Sequence, residues 1–246
     1  MTLLEKQHEN REKIKIPIKG FQKTSLLDFP SKISSIIFIG GCNFRCNYCY
    51  NPDLVDINSI PNLHIIEVLE ELNTRRKYID GVVITGGEPT LYPDLPLLIK
   101  EIKDLNLLVK LDTNGTNPPL VRELINKNLV DYIAVDIKAP AEKYYTIVGK
   151  KVNINLIKET VEILINSKID YEFRTTLIKE DHPEQDILIM ADWIKGAKKY
   201  CLQQFRSNTK LVNNLYKVKT CYSKQEMEDF KEQIKGNFDE VELRLN

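Results

Sequence analysis

The chain has 246 residues, 42% of them apolar and 28% charged, and its 35 Lys plus Arg balance 35 Asp plus Glu. That is the composition of a globular protein rather than a disordered one, at a length that can bury roughly 70% of the unfolded surface without a metal staple. A zero balance gives no global field for nucleic acid or a membrane surface, and no apolar run approaches the roughly 20 residues of a spanning helix.

Residues 1–18 open with MTLLEKQHENREKIK, a polar lead-in that lacks the apolar core of a signal peptide. A single domain over 19–246, in the cytoplasm, is the expectation. Five cysteines are an odd count, and a reducing compartment argues against a disulfide framework. Strands are predicted over 33–39, 81–85, 107–112, 131–137, 169–177 and 200–205. Runs such as SSIIFIG, GVVITGG and YIAVD suit strands buried on both faces. Helical patterns fall at 64–77, 96–105, 118–128, 155–167 and 183–197, several opened by Pro or Asn. A late helix is read over 223–235, before a last alternating segment, DEVELRL. Strands alternating with helices mean six βα units and a parallel sheet. An open doubly wound sheet and a partial barrel both fit, and both gather ligand-binding groups at the carboxyl ends of the strands.

Directly after the first predicted strand the chain reads Gly40-Gly41-Cys42-Asn43-Phe44-Arg45-Cys46-Asn47-Tyr48-Cys49. Three thiolates spaced CxxxCxxC can reach one metal centre, and soft thiolates favour iron–sulfur clusters, zinc or copper(I). A structural zinc site closes with four protein ligands, so two metal readings stand beside that of buried, inert thiols. One is a four-iron cluster on three cysteines, with one iron open to a substrate. The other is a non-enzymatic zinc loop completed by His64, Cys201 or Cys221.

The following strand ends carry polar groups in turn. Thr85-Gly86-Gly87-Glu88-Pro89 lets backbone approach a ligand closely and sets a carboxylate where it can grip an ammonium, although an ordinary βα turn fits as well. Asp112 and Thr113, before the Asn114-Gly115 turn signal, can hold a hydroxyl or a small cation. Asp136 and Lys138 share a face of an extended chain. Arg174 lies within the apolar YEFRTTLI and is costly to bury unpaired. Arg174 and Lys138 are the natural partners for a ligand carboxylate. Polar groups at successive strand ends amount to a site.

These motifs resemble the radical S-adenosylmethionine (SAM) superfamily. Residues 19–30, KGFQKTSLLDFP, followed by GCNFRCNYCYNPDLV, are similar to the activating proteins of anaerobic ribonucleoside-triphosphate reductases. The resemblance covers about 20–205 and implies an α/β fold of the partial (β/α)6 TIM-like barrel type. It further implies a [4Fe–4S] cluster on Cys42, Cys46 and Cys49, with SAM on the fourth iron. Tyr48 would lie near the adenine, and Gly86, Gly87 and Glu88 would hold the methionyl ammonium. Asp112, Thr113 and Asp136 would flank SAM with a monovalent cation, while Lys138 and Arg174 would contact its carboxylate. The implied activity is that of an oxidoreductase: one-electron cleavage of SAM and abstraction of a glycine Cα hydrogen, with no protein acid or base required. The implied partners are the reductase that receives the glycyl radical and an outside electron donor such as flavodoxin or ferredoxin. A radical SAM enzyme acting on a small molecule, a nucleotide or another glycyl-radical protein is the alternative.

The chain departs from that family at Tyr50, where relatives often have His. Asp28-Phe29-Pro30-Ser31 replaces the Asp-Gly-Pro-Gly of formate-lyase activases, and a second cysteine cluster is absent. Cys201 and Cys221 match no motif and are read as buried thiols; Trp193 is read as core.

Overall fold

The computed structural model describes residues 11, 13–58 and 60–246. Most of the polar lead-in expected over 1–18 lies outside the described residues. Two compact units are formed. The first takes the described residues up to Asn43, then Asp53–Thr113 and Pro119–Ile133; the second takes Phe44–Pro52, Asn114–Pro118 and Ala134–Asn246.

In the first unit the strands β1 (Ile18–Ser25), β2 (Ser34–Ile39), β3 (Gly81–Gly86) and β4 (Leu108–Thr113) lie in that order. β2 and β3 pair in parallel from Ser34 opposite Gly81 to Ile39 opposite Gly86, and β3 pairs with β4 from Gly81 opposite Leu108 to Ile84 opposite Leu111. Both partners of β3 therefore end at the same level, which aligns the glycines after β3 with the loop after β2. β1 is an addition to the predicted strands. It runs antiparallel to β2, with Ile18 opposite Ile39 and Ser25 opposite Ser34. The turn between them is built by the Ser25 hydroxyl, which donates to the Asp28 carboxylate and accepts from the Leu27 and Asp28 amides. Phe29 then enters a core with Ile36, Val83 and Tyr132, leaving Leu26 and Leu27 exposed at the tip.

The helices of this unit are α1 (Pro52–Val55), α2 (Ile65–Arg75), α3 (Leu95–Lys103) and α4 (Pro118–Asn126). α3 buries Leu95, Leu98, Ile99 and Ile102, the i, i+3, i+4, i+7 stripe of an amphipathic helix. Lys100 and Lys103 close its last turn, where cations complement the helix dipole.

The chain passes from the first unit to the second within β5 (Tyr132–Asp136). In the second unit β6 (Asp170–Leu177), β7 (Lys199–Gln204) and β8 (Glu240–Arg244) are neighbours in that order, all parallel. Their helices are α5 (Tyr144–Val148), α6 (Ile154–Ile165), α7 (Glu184–Trp193) and α8 (Lys224–Ile234). α8 starts on a capping box in which Ser223 and Glu226 satisfy each other's amides. The fold is mixed α/β with a parallel sheet, as the alternation of patterns predicts.

All five cysteines are free thiols. Cys201 is buried on β7 as expected. Cys221 corrects the sequence reading: it is only half-buried, and its thiol donates to the Phe205 carbonyl at 2.8 Å. Trp193 is also half-buried, its ring edge-on to the buried Tyr144 at 6.3 Å. No helix among the described residues is long and apolar enough to cross a membrane.

Candidate functional site

In the first unit, backbone from three segments meets where β2 and β3 end. The Gly87 amide donates to the Ile39 carbonyl (2.7 Å), the Glu88 amide to Gly41 (2.8 Å) and the Gly41 amide to Leu54 (2.8 Å). Glycine is obligatory here. A Cβ on Gly87 would lie 2.0 Å from the Gly41 carbonyl oxygen, and Gly86 has φ +122° with the Ile39 carbonyl 2.4 Å from where a Cβ would stand. The loop that carries Cys42 is thus fastened to the Gly-Gly-Glu turn by main-chain bonds, and the Tyr92 hydroxyl adds a bond to the Gly40 carbonyl (2.6 Å).

Glu88 is fully buried. Its Oε1 accepts from the Thr90 amide (3.0 Å), the Thr90 hydroxyl (2.5 Å) and the Thr113 hydroxyl (2.6 Å). Glu88 and Thr113, singled out at two different strand ends, are therefore brought together. Thr90 was not anticipated; a hydroxyl two residues after a strand-end acid is the signal that marks it. Asp112 is ion-paired with Lys110, whose ammonium stands 5.9 Å from the Tyr132 ring centroid. Lys110 was also missed, although a cation inside the apolar LLVKL is the same signal that marks Arg174.

The second unit carries Cys46, Tyr48 and Cys49. The Cys49 amide donates to the Cys46 carbonyl (3.1 Å), closing a tight turn, and the Arg45 amide to Val148 (2.8 Å). Gly149 sits at φ +64° with the Arg45 carbonyl 2.8 Å from its would-be Cβ. Cys46 is buried, and burial pushes its thiol up to about 11, against the pull of the Lys138 ammonium. Burial raises the Cys49 thiol as well. Bare, these are protonated thiols; a metal centre would have to bind them as thiolates.

Asp136, Lys138 and Arg174 come together as the sequence suggested. Arg174 Nε lies 2.9 Å from Asp136 Oδ1, and Lys138 Nζ 3.3 Å from Oδ2. Burial works to raise the Asp136 carboxyl, but the two cations outweigh it and hold it well below the usual carboxylate range. Burial likewise opposes the Lys138 charge, and Asp136 restores it. The ammonium stands 6.0 Å from the Tyr48 ring centroid. Two residues that the sequence did not flag brace this strand end. The Tyr144 hydroxyl donates to the Asp136 carbonyl and accepts the Lys138 amide, each at 3.3 Å. His182 is fully buried, and its Nδ1 accepts from the Ile178 amide (3.1 Å). That bond assigns the proton to Nε2, which donates to the Lys138 carbonyl (2.9 Å).

Tyr50 accepts the Arg206 amide on its hydroxyl (2.8 Å), and its ring stacks on Phe205 at 6.1 Å and 15°. Three free thiols on one CxxxCxxC segment are a donor set whose soft chemistry suits an iron–sulfur cluster. In the first unit the buried Glu88 carboxylate is suited to an ammonium, and in the second the paired cations Lys138 and Arg174 are suited to a carboxylate.

Residues 36–194, more than half of the chain, match the Radical SAM superfamily. A protein of Methanocaldococcus jannaschii that carries the provisional name glycyl-radical enzyme activating enzyme is 33% identical over 78% of this chain and 81% of its own length. The pyruvate formate-lyase-activating enzyme of Clostridium pasteurianum is 30% identical over 54% of this chain and 57% of its own length. Among solved structures, SuiB of Streptococcus suis bound to S-adenosylmethionine superposes with a TM-score of 0.62 at 16% identity, over 83% of this chain and 48% of SuiB. The chain thus spans about half the length of that structure. A spore photoproduct lyase mutant matches all of this chain and 86% of its own, with a TM-score of 0.59 at 11% identity; both likenesses concern the fold.

Proposed function

Because the chain belongs to the radical SAM superfamily, whose members use a [4Fe–4S] cluster and SAM, we propose that it is the activating enzyme of a glycyl-radical protein, and that this protein is an anaerobic ribonucleoside-triphosphate reductase. The observation that carries the reading is the 33% identity to an activating-enzyme relative over most of both chains. The KGFQKTSLLDFP lead at 19–30 supports the reductase as the target. When bound and reduced, the cluster with SAM supplies one-electron cleavage of a sulfonium and, from it, hydrogen-atom abstraction from carbon.

The work left to the chain is binding, orientation and exclusion. Cys42, Cys46 and Cys49 hold the cluster. Tyr48 borders the adenine. Gly86 and Gly87 let main chain approach SAM, and Glu88, steadied by Thr90 and Thr113, accepts the methionyl ammonium. Lys138 and Arg174, already gathered on Asp136, take the carboxylate. Asp112, Thr113 and Asp136 are the candidate ligands of a monovalent cation. The electron comes from a flavodoxin- or ferredoxin-like donor, and the setting is the cytoplasm.

Electron paramagnetic resonance tests the reading. Anaerobically reconstituted protein, reductant, SAM and the reductase of the same organism should yield an organic glycyl doublet on the reductase that vanishes when SAM or this protein is omitted. Deoxyadenosine without a doublet would refute the reductase as target and favour a small-molecule or other glycyl-radical substrate. A colourless preparation with zinc and no sulfide would overturn the whole reading.

A further inference from the structure

Between the end of β7 and the start of α8 the chain crosses as a strap over 206–222, beyond the residues 36–194 that match the superfamily. The strap turns back onto the segment that carries the second and third cysteines. The Arg206 amide donates to the Tyr50 hydroxyl (2.8 Å), the Val212 amide to the Cys49 carbonyl (3.1 Å) and the Asn213 amide to the Asn47 carbonyl (3.0 Å). Asn213 also uses its side chain: Nδ2 donates to Asn47 Oδ1 at 3.2 Å, while Oδ1 accepts from the Leu215 amide at 3.0 Å. One residue therefore clasps Asn47 through main chain and side chain and also caps the 3-10 turn Asn214–Val218.

A clasp can position a turn only if it is itself held. Leu211, two residues before Asn213, is buried. Farther along, the Lys179 amide donates to the Thr220 carbonyl (3.1 Å), Lys219 pairs with Asp181 (3.1 Å), and the Tyr222 hydroxyl donates to the His182 carbonyl (2.7 Å). His182 is the residue that holds the Lys138 carbonyl. The strap thus runs from the cysteine turn to the turn after β6, within the second unit.

Asn47 lies between Cys46 and Cys49. The peptide group is planar, so a bond on the Asn47 carbonyl orients the Tyr48 amide, and one on the Cys49 carbonyl orients the Tyr50 amide. The bond from the Cys49 amide to the Cys46 carbonyl closes the turn; the bonds from the strap fix it against the unit. A ligand turn ordered beforehand avoids the entropy cost of ordering on binding, and partners behind the ligands tune the affinity of a metal centre. We propose that Asn213 is a positioning residue for the cysteine turn, holding Asn47 so that Cys46 and Cys49 present their thiolates to the cluster in one geometry. This rests on the cluster ligation stated under the proposed function.

The test compares wild type with Asn213→Ser, Asn47→Ala and their combination, each reconstituted anaerobically, and follows cluster bleaching by an iron chelator. Serine keeps an oxygen for the Leu215 amide but is too short to reach Asn47, so it removes the side-chain clasp and spares the cap. Asn213→Ser should lose its cluster about threefold to tenfold faster, the worth of a neutral hydrogen bond. Asn47→Ala should lose it at least as fast, because the Asn47 side chain also meets the Tyr216 hydroxyl. The double variant should be no faster than the worse single one, since both remove the same bond. Loss should stay flat in dilute urea, because release of one turn exposes little surface. Without SAM, the reduced cluster should give a broader electron paramagnetic resonance signal in the variants, from thiolates in more than one geometry. Asn214→Ala, at the exposed neighbour, should match wild type. Wild-type cluster loss in Asn213→Ser and Asn47→Ala would overturn the inference. So would additive effects in the double variant, or loss that climbs steeply with urea, which would make Asn213 a residue of general stability. Failure of the wild type to take up a [4Fe–4S] cluster would instead strike at the proposed function.

Discussion

At the scale of single residues, the strand end after β5 turns on charge. Asp136 would be costly to bury alone, yet Arg174 and Lys138 keep it ionised, and the backbone of Lys138 is fixed on both sides by Tyr144 and His182. A lysine held this firmly makes a directional contact, and Arg174 remains on Asp136 when the lysine is removed. Lys138→Met should therefore preserve the fold and lower SAM affinity by about tenfold to a hundredfold, the worth of a hydrogen bond to a charged group. Calorimetric titration with decarboxylated SAM gives the control. That ligand lacks the carboxylate, so wild type and variant should bind it alike. Equal losses for both ligands would remove Lys138 from the carboxylate contact.

At the scale of elements, the main-chain knot between the ends of β2 and β3 sets where the cysteine loop begins. Gly87→Ala would drive a methyl group into the Gly41 carbonyl, 2.0 Å from the ideal Cβ, and neither backbone segment can swing aside as a side chain would. Urea unfolding should register a loss of about 3 kcal/mol or more, the upper range for forced overpacking. Gly236→Ala, with nothing within 4 Å of the added carbon, should be close to neutral. The strands β2 to β5 were legible as short, mostly apolar runs before a polar end, a pattern that also exposed Glu88, Asp112 and Asp136; β6 and β7 mix apolar with polar residues, and there Arg174 stood out as a charge inside the run. β1 escaped because it is an edge strand. It is largely exposed from Gln22 to Thr24, and Gly20 stands against Phe38 where an apolar side chain would otherwise announce a strand. Tyr144 and His182 were invisible for a different reason. They act through tertiary hydrogen bonds to main chain, which leave no periodic trace, and a lone His or Tyr has no pattern to belong to.

At the scale of the molecule, a net charge of zero conceals pairs that join distant parts of the sequence. Glu172 on β6 is fully buried, and it is met by Arg244, two residues before the last residue of the sequence: Nη2 lies 2.7 Å from Oε2 and Nη1 3.2 Å from Oε1. Arg244 also reaches Glu242 (2.9 Å), which in turn pairs with Lys199 on β7. The final strand thus closes its sheet by charge as well as by backbone register. Arg174 stands 3.9 Å from Glu172 and shares its charge with Asp136, so it offsets only part of the loss of Arg244. Arg244→Met should cost about 3–5 kcal/mol in urea unfolding, the penalty for stranding a buried charge. The double variant Glu172→Leu/Arg244→Met should recover most of that, since an apolar pair of similar volume leaves no charge to strand. A double variant as unstable as Arg244→Met alone would mean that the loss comes from the packing of Arg244 and its contact with Glu242, and not from a stranded Glu172 charge.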